Sequence, residues 1–175
     1  MISLPFRIAR QAKTLTPLRI AFGSQECGAL PTVMTGAGAS LPNLSFTFMK
    51  DGRLRAMAER DYEELRVAAF YRSAKSKALL AGSVIEAVVL DLLIAKGVAF
   101  DELKGLAAHA LYERAKHEEL LAGRQLSAAH ATRDTRNFVH PAVEYREGDL
   151  TAEQADLALS LMRAILAELG FAPAP

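Results

Sequence analysis

Residues 133–141 read RDTRNFVHP, which sets two arginines, an asparagine and a histidine within eight residues and ends them on a proline. Guanidinium groups are permanently charged, forked donors that match phosphate oxygens, and an unperturbed imidazole titrates near pH ~6.5, so it both takes and gives a proton near neutrality. Those capabilities are what metal-free cleavage of RNA requires. The 2′-hydroxyl must lose a proton to attack the neighbouring phosphorus, the leaving 5′-oxygen must gain one, and the negative charge on the phosphorane must be held. His140 suits the acid or base role, and Arg133 and Arg136 suit the clamp.

Residues three, four and seven apart share one face of a helix, so a helical motif would project Arg133, Arg136 and His140 in one direction. Pro141 disfavours the α conformation at the residue before it, which places His140 at the last turn of that helix or just beyond. A helix C-terminus carries partial negative charge, favouring a protonated His140 and opposing a bound anion that the arginines would have to hold. A purely structural reading stays open beside this one: arginines near a helix C-terminus pair with its dipole, and a histidine before proline can satisfy carbonyls the helix leaves unpaired.

A carboxylate enters the same picture from elsewhere in the chain. Glu86 falls among Val84, Ile85, Val88 and Val89 in the most apolar segment, and burying it without a partner would be unfavourable. Arg133, Arg136 or His140 is the cation expected to meet it, unless Glu86 lies on a polar edge.

The elements that must position these groups read as helices. RLRAMAERDYEELRVAAFYRSAK, from Arg53, repeats Leu54, Met57, Ala58 and then Leu65, Ala68, Ala69 at three-to-four spacing, the pattern of an amphipathic helix. SKALLAGSVIEAVVLDLLIAKG is apolar around much of its circumference and ends at Gly97, a natural left-handed cap, so it is expected to be the central helix. Gly82 and Ser83 in it leave room for another backbone to come close. One or two short helices follow up to a break at Gly123, then a helix from about Gln125 into the motif. In the last helix Thr151 and Gln154 form a T-x-x-Q capping box, and Ala155, Ala158, Met162, Ile165 and Leu169 make one stripe closed by Gly170.

Residues 1–50 differ. Prolines stand at 5, 17, 32 and 42, and only LRIAF and LSFTF alternate as short strands do. TGAGAS at 35–40 is glycine-rich, but Leu41 and Pro42 follow it where a phosphate loop would need a helix start. The basic stretch over residues 1–25 lacks the apolar core of a signal peptide. The expected organisation is an irregular extension over 1–50, an all-α antiparallel bundle of four to six helices over 51–170, and a tail over 171–175.

Composition bounds the chemistry. The chain of 175 residues is 51% hydrophobic and 7% aromatic, with formal net charge +1, so any nucleic-acid contact must be local and not a matter of bulk charge. Cys27 is the single cysteine, which excludes an internal disulfide and a cysteine-based zinc site and fits a cytoplasmic location. With no histidine near it in sequence, Cys27 reads as a free thiol and not a nucleophile. His109, His117 and His130 lack tight ligand spacing, and neither metal nor cofactor is expected. Residues 78–95 are broken by Gly82, Ser83, Glu86 and Asp91, so a buried helix is expected there and no membrane span.

The combination KALLAGSVIEAVVLDLL, a later RDTRNFVHP and a final TAEQADLALSLMRAILAEL resembles the HEPN superfamily over roughly residues 54–169. The resemblance implies a helical bundle that dimerises so that two motif helices face each other. It also implies metal-independent ribonuclease activity, in toxin, phage-defence or RNA-processing systems, sometimes beside a nucleotidyltransferase-like antitoxin; other members are inactive binding or scaffold domains. The family's motif sets Arg and His four to six residues apart, often with a polar residue after the Arg. Arg133, followed by Asp134, meets the outer limit, whereas Arg136, followed by Asn137, has only three residues before His140. The resemblance therefore points to Arg133, Arg136, Asn137 and His140, with Glu86 on the helix opposite, and leaves open which arginine would be catalytic.

Overall fold

A computed structural model describes residues 41–170, and these contain seven helices and no β-strand. The stretch LSFTF does not form the expected strand: Thr47 and Phe48 lie in a turn. LRIAF, Cys27 and TGAGAS lie outside the described residues.

Helix α1 (Gly52–Phe70) starts where Asp51 caps it, its carboxylate accepting from the amides of Arg53 at 2.8 Å and Leu54 at 3.0 Å. Those two bonds hold the Asp51 carboxyl below its ordinary range, the Leu54 bond contributing most. Leu54, Ala58, Tyr62, Leu65 and Ala68 face inward. Met57, expected on that stripe, is 48% exposed, and the buried position one turn on is taken by Asp61.

Three residues separate α1 from α2 (Ala74–Lys96), the central rod, which packs on α1 and on every longer helix that follows. Gly97 ends it at φ +103°, a left-handed conformation that a Cβ would strain, with its amide bonded to the Ile94 carbonyl at 2.9 Å. By length and hydropathy alone α2 is sufficient to cross a bilayer. Its buried charges are nevertheless matched within the bundle: Lys77 donates to Asp156, and Asp91 accepts from the amides of Lys50 at 3.1 Å and Asp51 at 2.7 Å. Asp91 thereby fixes the entry to α1.

Two short pieces follow, α3 (Phe100–Leu103) and α4 (Ala108–His117), then α5 (Gly123–Asn137), α6 (Pro141–Glu147) and α7 (Ala152–Glu168). The capping box of α7 forms, with Gln154 N–H donating to the Thr151 hydroxyl at 3.2 Å and Thr151 N–H to the Gln154 side chain at 2.9 Å. Its stripe buries Ala155, Ala158, Met162 and Ile165, joined by Leu159 and Leu166. Helix α5 packs against α2, α4 and α7.

The stretch 41–50, expected to be part of the extension, packs into the helical core. Leu41, Phe46 and Met49 are buried in the same apolar cluster as Leu65, Ile85 and Met162. The Tyr62 hydroxyl donates to the Pro42 carbonyl at 2.7 Å, and the Phe46 ring meets the Tyr62 ring edge-on at 5.7 Å.

Candidate functional site

Helix α5 can lie close to α2 because the residues it buries are small, Ala129 and Thr132. One turn beyond Thr132 on that face comes Arg136, whose aliphatic stem crosses α2 at Gly82. A Cβ at position 82 would stand 2.9 Å from Arg136 Cδ. The room at Gly82 is thus filled by an arginine stem where a neighbouring backbone was expected. Four residues along the same face of α2, Glu86 Oε1 accepts from Arg136 Nη1. Glycine takes the stem and glutamate the head, so the GSVIE segment is a seat for one arginine.

Both members of this pair are partly enclosed, their side chains 31% and 28% exposed for Arg136 and Glu86. Burial pushes the Glu86 carboxyl above its ordinary range, and Arg136, by charge and by hydrogen bond, works against that shift. The desolvation outweighs the ion pair, as is common when a carboxylate is drawn partway into an apolar wall.

Arg133, one turn earlier on α5, has a different partner. Its Nε donates to Asp134 Oδ1 at 3.0 Å and its Nη2 meets the same oxygen, and its side chain is 24% exposed. Tyr112 of α4 stands near enough to Glu86, Arg136 and Arg133 for all three charges to act on its phenol. The ring is fully buried and its hydroxyl has no hydrogen-bond partner among the described residues. Burial raises the phenol pKa far above its ordinary range, so the group stays neutral. Sequence reasoning missed Tyr112. Its spacing from Leu111 and Ala115, also buried, marks it as a core position but says nothing about the charges around its hydroxyl.

The shared helical face does not extend to His140. Helix α5 ends at Asn137, so His140 lies just beyond it, the second of the two places that Pro141 allowed, and is extended at φ −82°, ψ 126° as the residue preceding α6. Pro141, expected to terminate a helix, starts the next one at a position where its missing N–H is no loss. Helical periodicity therefore aligns Arg133 and Arg136 on α5 but does not reach His140. The corner that holds it is pinned on both sides. Phe138 packs against Ala78, Leu150 and Ala155, and Glu144 accepts from Lys75 of α2 at 2.6 Å. Between these anchors the His140 backbone N–H donates to the Asn137 carbonyl at 3.0 Å. Its side chain is exposed and makes no hydrogen bond among the described residues. Asn137, the last helical residue, is half-buried.

Of the other histidines, His117 lies 3.6 Å from Glu118, apart from the rest. His109 and His130 meet across α4 and α5, with Glu113 beside them. Glu86 also lines an open groove of about 420 Å³ between α1, α2 and the segment around α3, whose walls include Met57, Asp61, Ser83, Phe100 and Leu106.

Set against protein-family models, curated proteins and solved structures, the chain matches none of them.

Proposed function

We propose that the chain is a HEPN-like helical domain that engages RNA phosphate through Arg133, Arg136 and His140 and cleaves RNA without a metal, His140 transferring the proton. The observation that carries this reading is the state of the His140 side chain: it is solvent-facing, on a corner pinned at Phe138 and Glu144, and no hydrogen bond among the described residues occupies it. The capping duty that would make it merely structural is absent.

The roles then divide. Arg136, seated on Gly82 and bonded to Glu86, positions the end of α5. Arg133, whose ion-pair partner among the described residues is the adjacent Asp134, is the arginine that can turn to a phosphate by exchanging one exposed partner for another. Asn137 adds a neutral donor at the helix end. With a formal net charge of +1, RNA affinity rests on these few groups, and the family resemblance favours a homodimer in which two such corners share one cleft. An antitoxin of nucleotidyltransferase type is the kind of partner that resemblance adds.

A second reading is favoured by one observation: both arginines already have carboxylate partners. In that reading the cluster is a structural network in a non-catalytic interaction module. Incubation of the full chain with mixed RNA in EDTA separates the two. The nuclease reading expects cleavage that His140→Ala abolishes with its melting temperature unchanged; cleavage by His140→Ala at the parent rate would refute the mechanism. No RNA cleavage or binding by the parent, with Arg136→Ala merely less stable, is the scaffold result.

A further inference from the structure

Two helices bring three potential metal ligands together, His130 among them one turn before Arg133 on α5. His109 and Glu113 are one turn apart on α4, and His130 faces them from α5. One ligand atom from each lies within 4.8 Å of the others. The two ring nitrogens His109 Nδ1 and His130 Nδ1 stand 3.4 Å apart. A zinc-class ion holds nitrogen or oxygen ligands at about 2.0–2.1 Å in a tetrahedron, which sets ligand atoms about 3.3 Å apart. The imidazole pair already stands at that separation.

The surroundings supply the rest of such a site. His130 Nε2 lies 3.0 Å from Glu113 Oε1, so the carboxylate already rests against the His130 ring and would turn from Nε2 to reach an ion held between the two Nδ1 atoms. The His130 ring is fixed by the Tyr112 ring, edge-on at 5.7 Å, and its side chain is 21% exposed. Glu113 contributes a negative charge from a side chain 42% exposed, so an ion can reach it. Lys116 approaches its other oxygen, but at 3.4 Å and 57% exposed it is free to swing away.

We propose that His109, Glu113 and His130 bind one divalent transition-metal ion of the zinc class, fastening α4 to α5 and leaving the remaining coordination position to water. Two imidazoles and one carboxylate are donors that zinc accepts, whereas magnesium or calcium would demand more oxygen. The inference is independent of the RNA reading, because binding is measured without RNA and cleavage is measured in EDTA.

The test is calorimetric titration of the full chain with Zn²⁺, together with Co²⁺ titration followed by visible absorption. The expected result is one equivalent per chain, a higher melting temperature on addition, and affinity reduced at least tenfold in both His130→Ala and His109→Ala. His109 is exposed, so its variant folds even where loss of His130 disturbs the α4–α5 contact. His117→Ala and Cys27→Ser are expected to bind as the parent does. No saturable binding, binding that survives both His109→Ala and His130→Ala, or binding lost in His117→Ala or Cys27→Ser, overturns the proposal.

Discussion

The Arg136–Glu86 pair is a test of sign as well as size. Removing the guanidinium by Arg136→Ala leaves a partly buried carboxylate unpaired, and with about a third of the pair in water the expected loss is about 1–2 kcal/mol, below that of a fully buried pair. For a chain of this size that lowers the melting temperature by roughly 2–8 °C. Glu86→Gln behaves otherwise. The folded carboxyl has a raised pKa, with burial the leading cause and Arg136 opposing it, so the folded state holds its proton more tightly than the unfolded chain. The resulting stabilisation is complete below the ordinary carboxylate pKa and disappears as pH rises through the folded value. Stability of Glu86→Gln relative to the parent is therefore expected to improve between about pH 4 and pH 7. Chemical denaturation of both proteins at the two pH values measures it, and a relative decline would mean that the pair outweighs desolvation.

Between elements, the α2–α5 contact turns on Gly82. A glycine inside a helix forfeits about 1 kcal/mol against alanine, so its presence there needs a reason, and the Arg136 stem 2.9 Å from a notional Cβ is one. Gly82→Ala is expected to help or harm according to what stands at 136. With Arg136 in place the helix-propensity gain is cancelled or reversed, because the stem must leave its seat and its head must leave Glu86. In an Arg136→Ala background the nearest remaining contact, the side-chain Cβ at 3.5 Å, is ordinary, and the same change stabilises by roughly 0.5–1 kcal/mol. A double-mutant cycle by urea unfolding checks this; additivity of the two changes would mean that glycine serves some other purpose there.

For the whole molecule, the question is where the domain begins. Phe46 is 1% exposed and sits against Tyr62 within the main apolar cluster, so the bundle is completed by a stretch that contains no helix. Phe46→Ala is expected to destabilise by about 3–5 kcal/mol, as for a core aromatic, seen as a large fall in the thermal midpoint. A change under about 1 kcal/mol, typical of surface positions, would place residues 41–50 outside the folding unit. The same stretch supplies Lys50 and Asp51, whose amides satisfy the buried Asp91, and so joins the core polar network as well as the apolar one.

Local rules accounted for most of the helical skeleton: the Thr151–Gln154 box, the Gly97 cap and the three-to-four spacing of α1 and α7 each depend on residues within a turn or two of one another, and the sequence contains them all. Glu86 could be singled out for the same reason, as a charge among β-branched apolar neighbours. What local spacing could not decide was anything settled by a second segment. Pro141 is equally able to end one helix or start another, and the Phe138 contact with Ala78, Leu150 and Ala155 accompanies the second outcome, moving His140 off the arginine helix. LSFTF alternates like a strand, but Phe46 and Met49 bury themselves against helices and its end forms a turn. Which cation reaches Glu86, what fills the space at Gly82, and the meeting of His109 with His130 each join residues on different helices, and such pairings exist only once packing has brought those helices together.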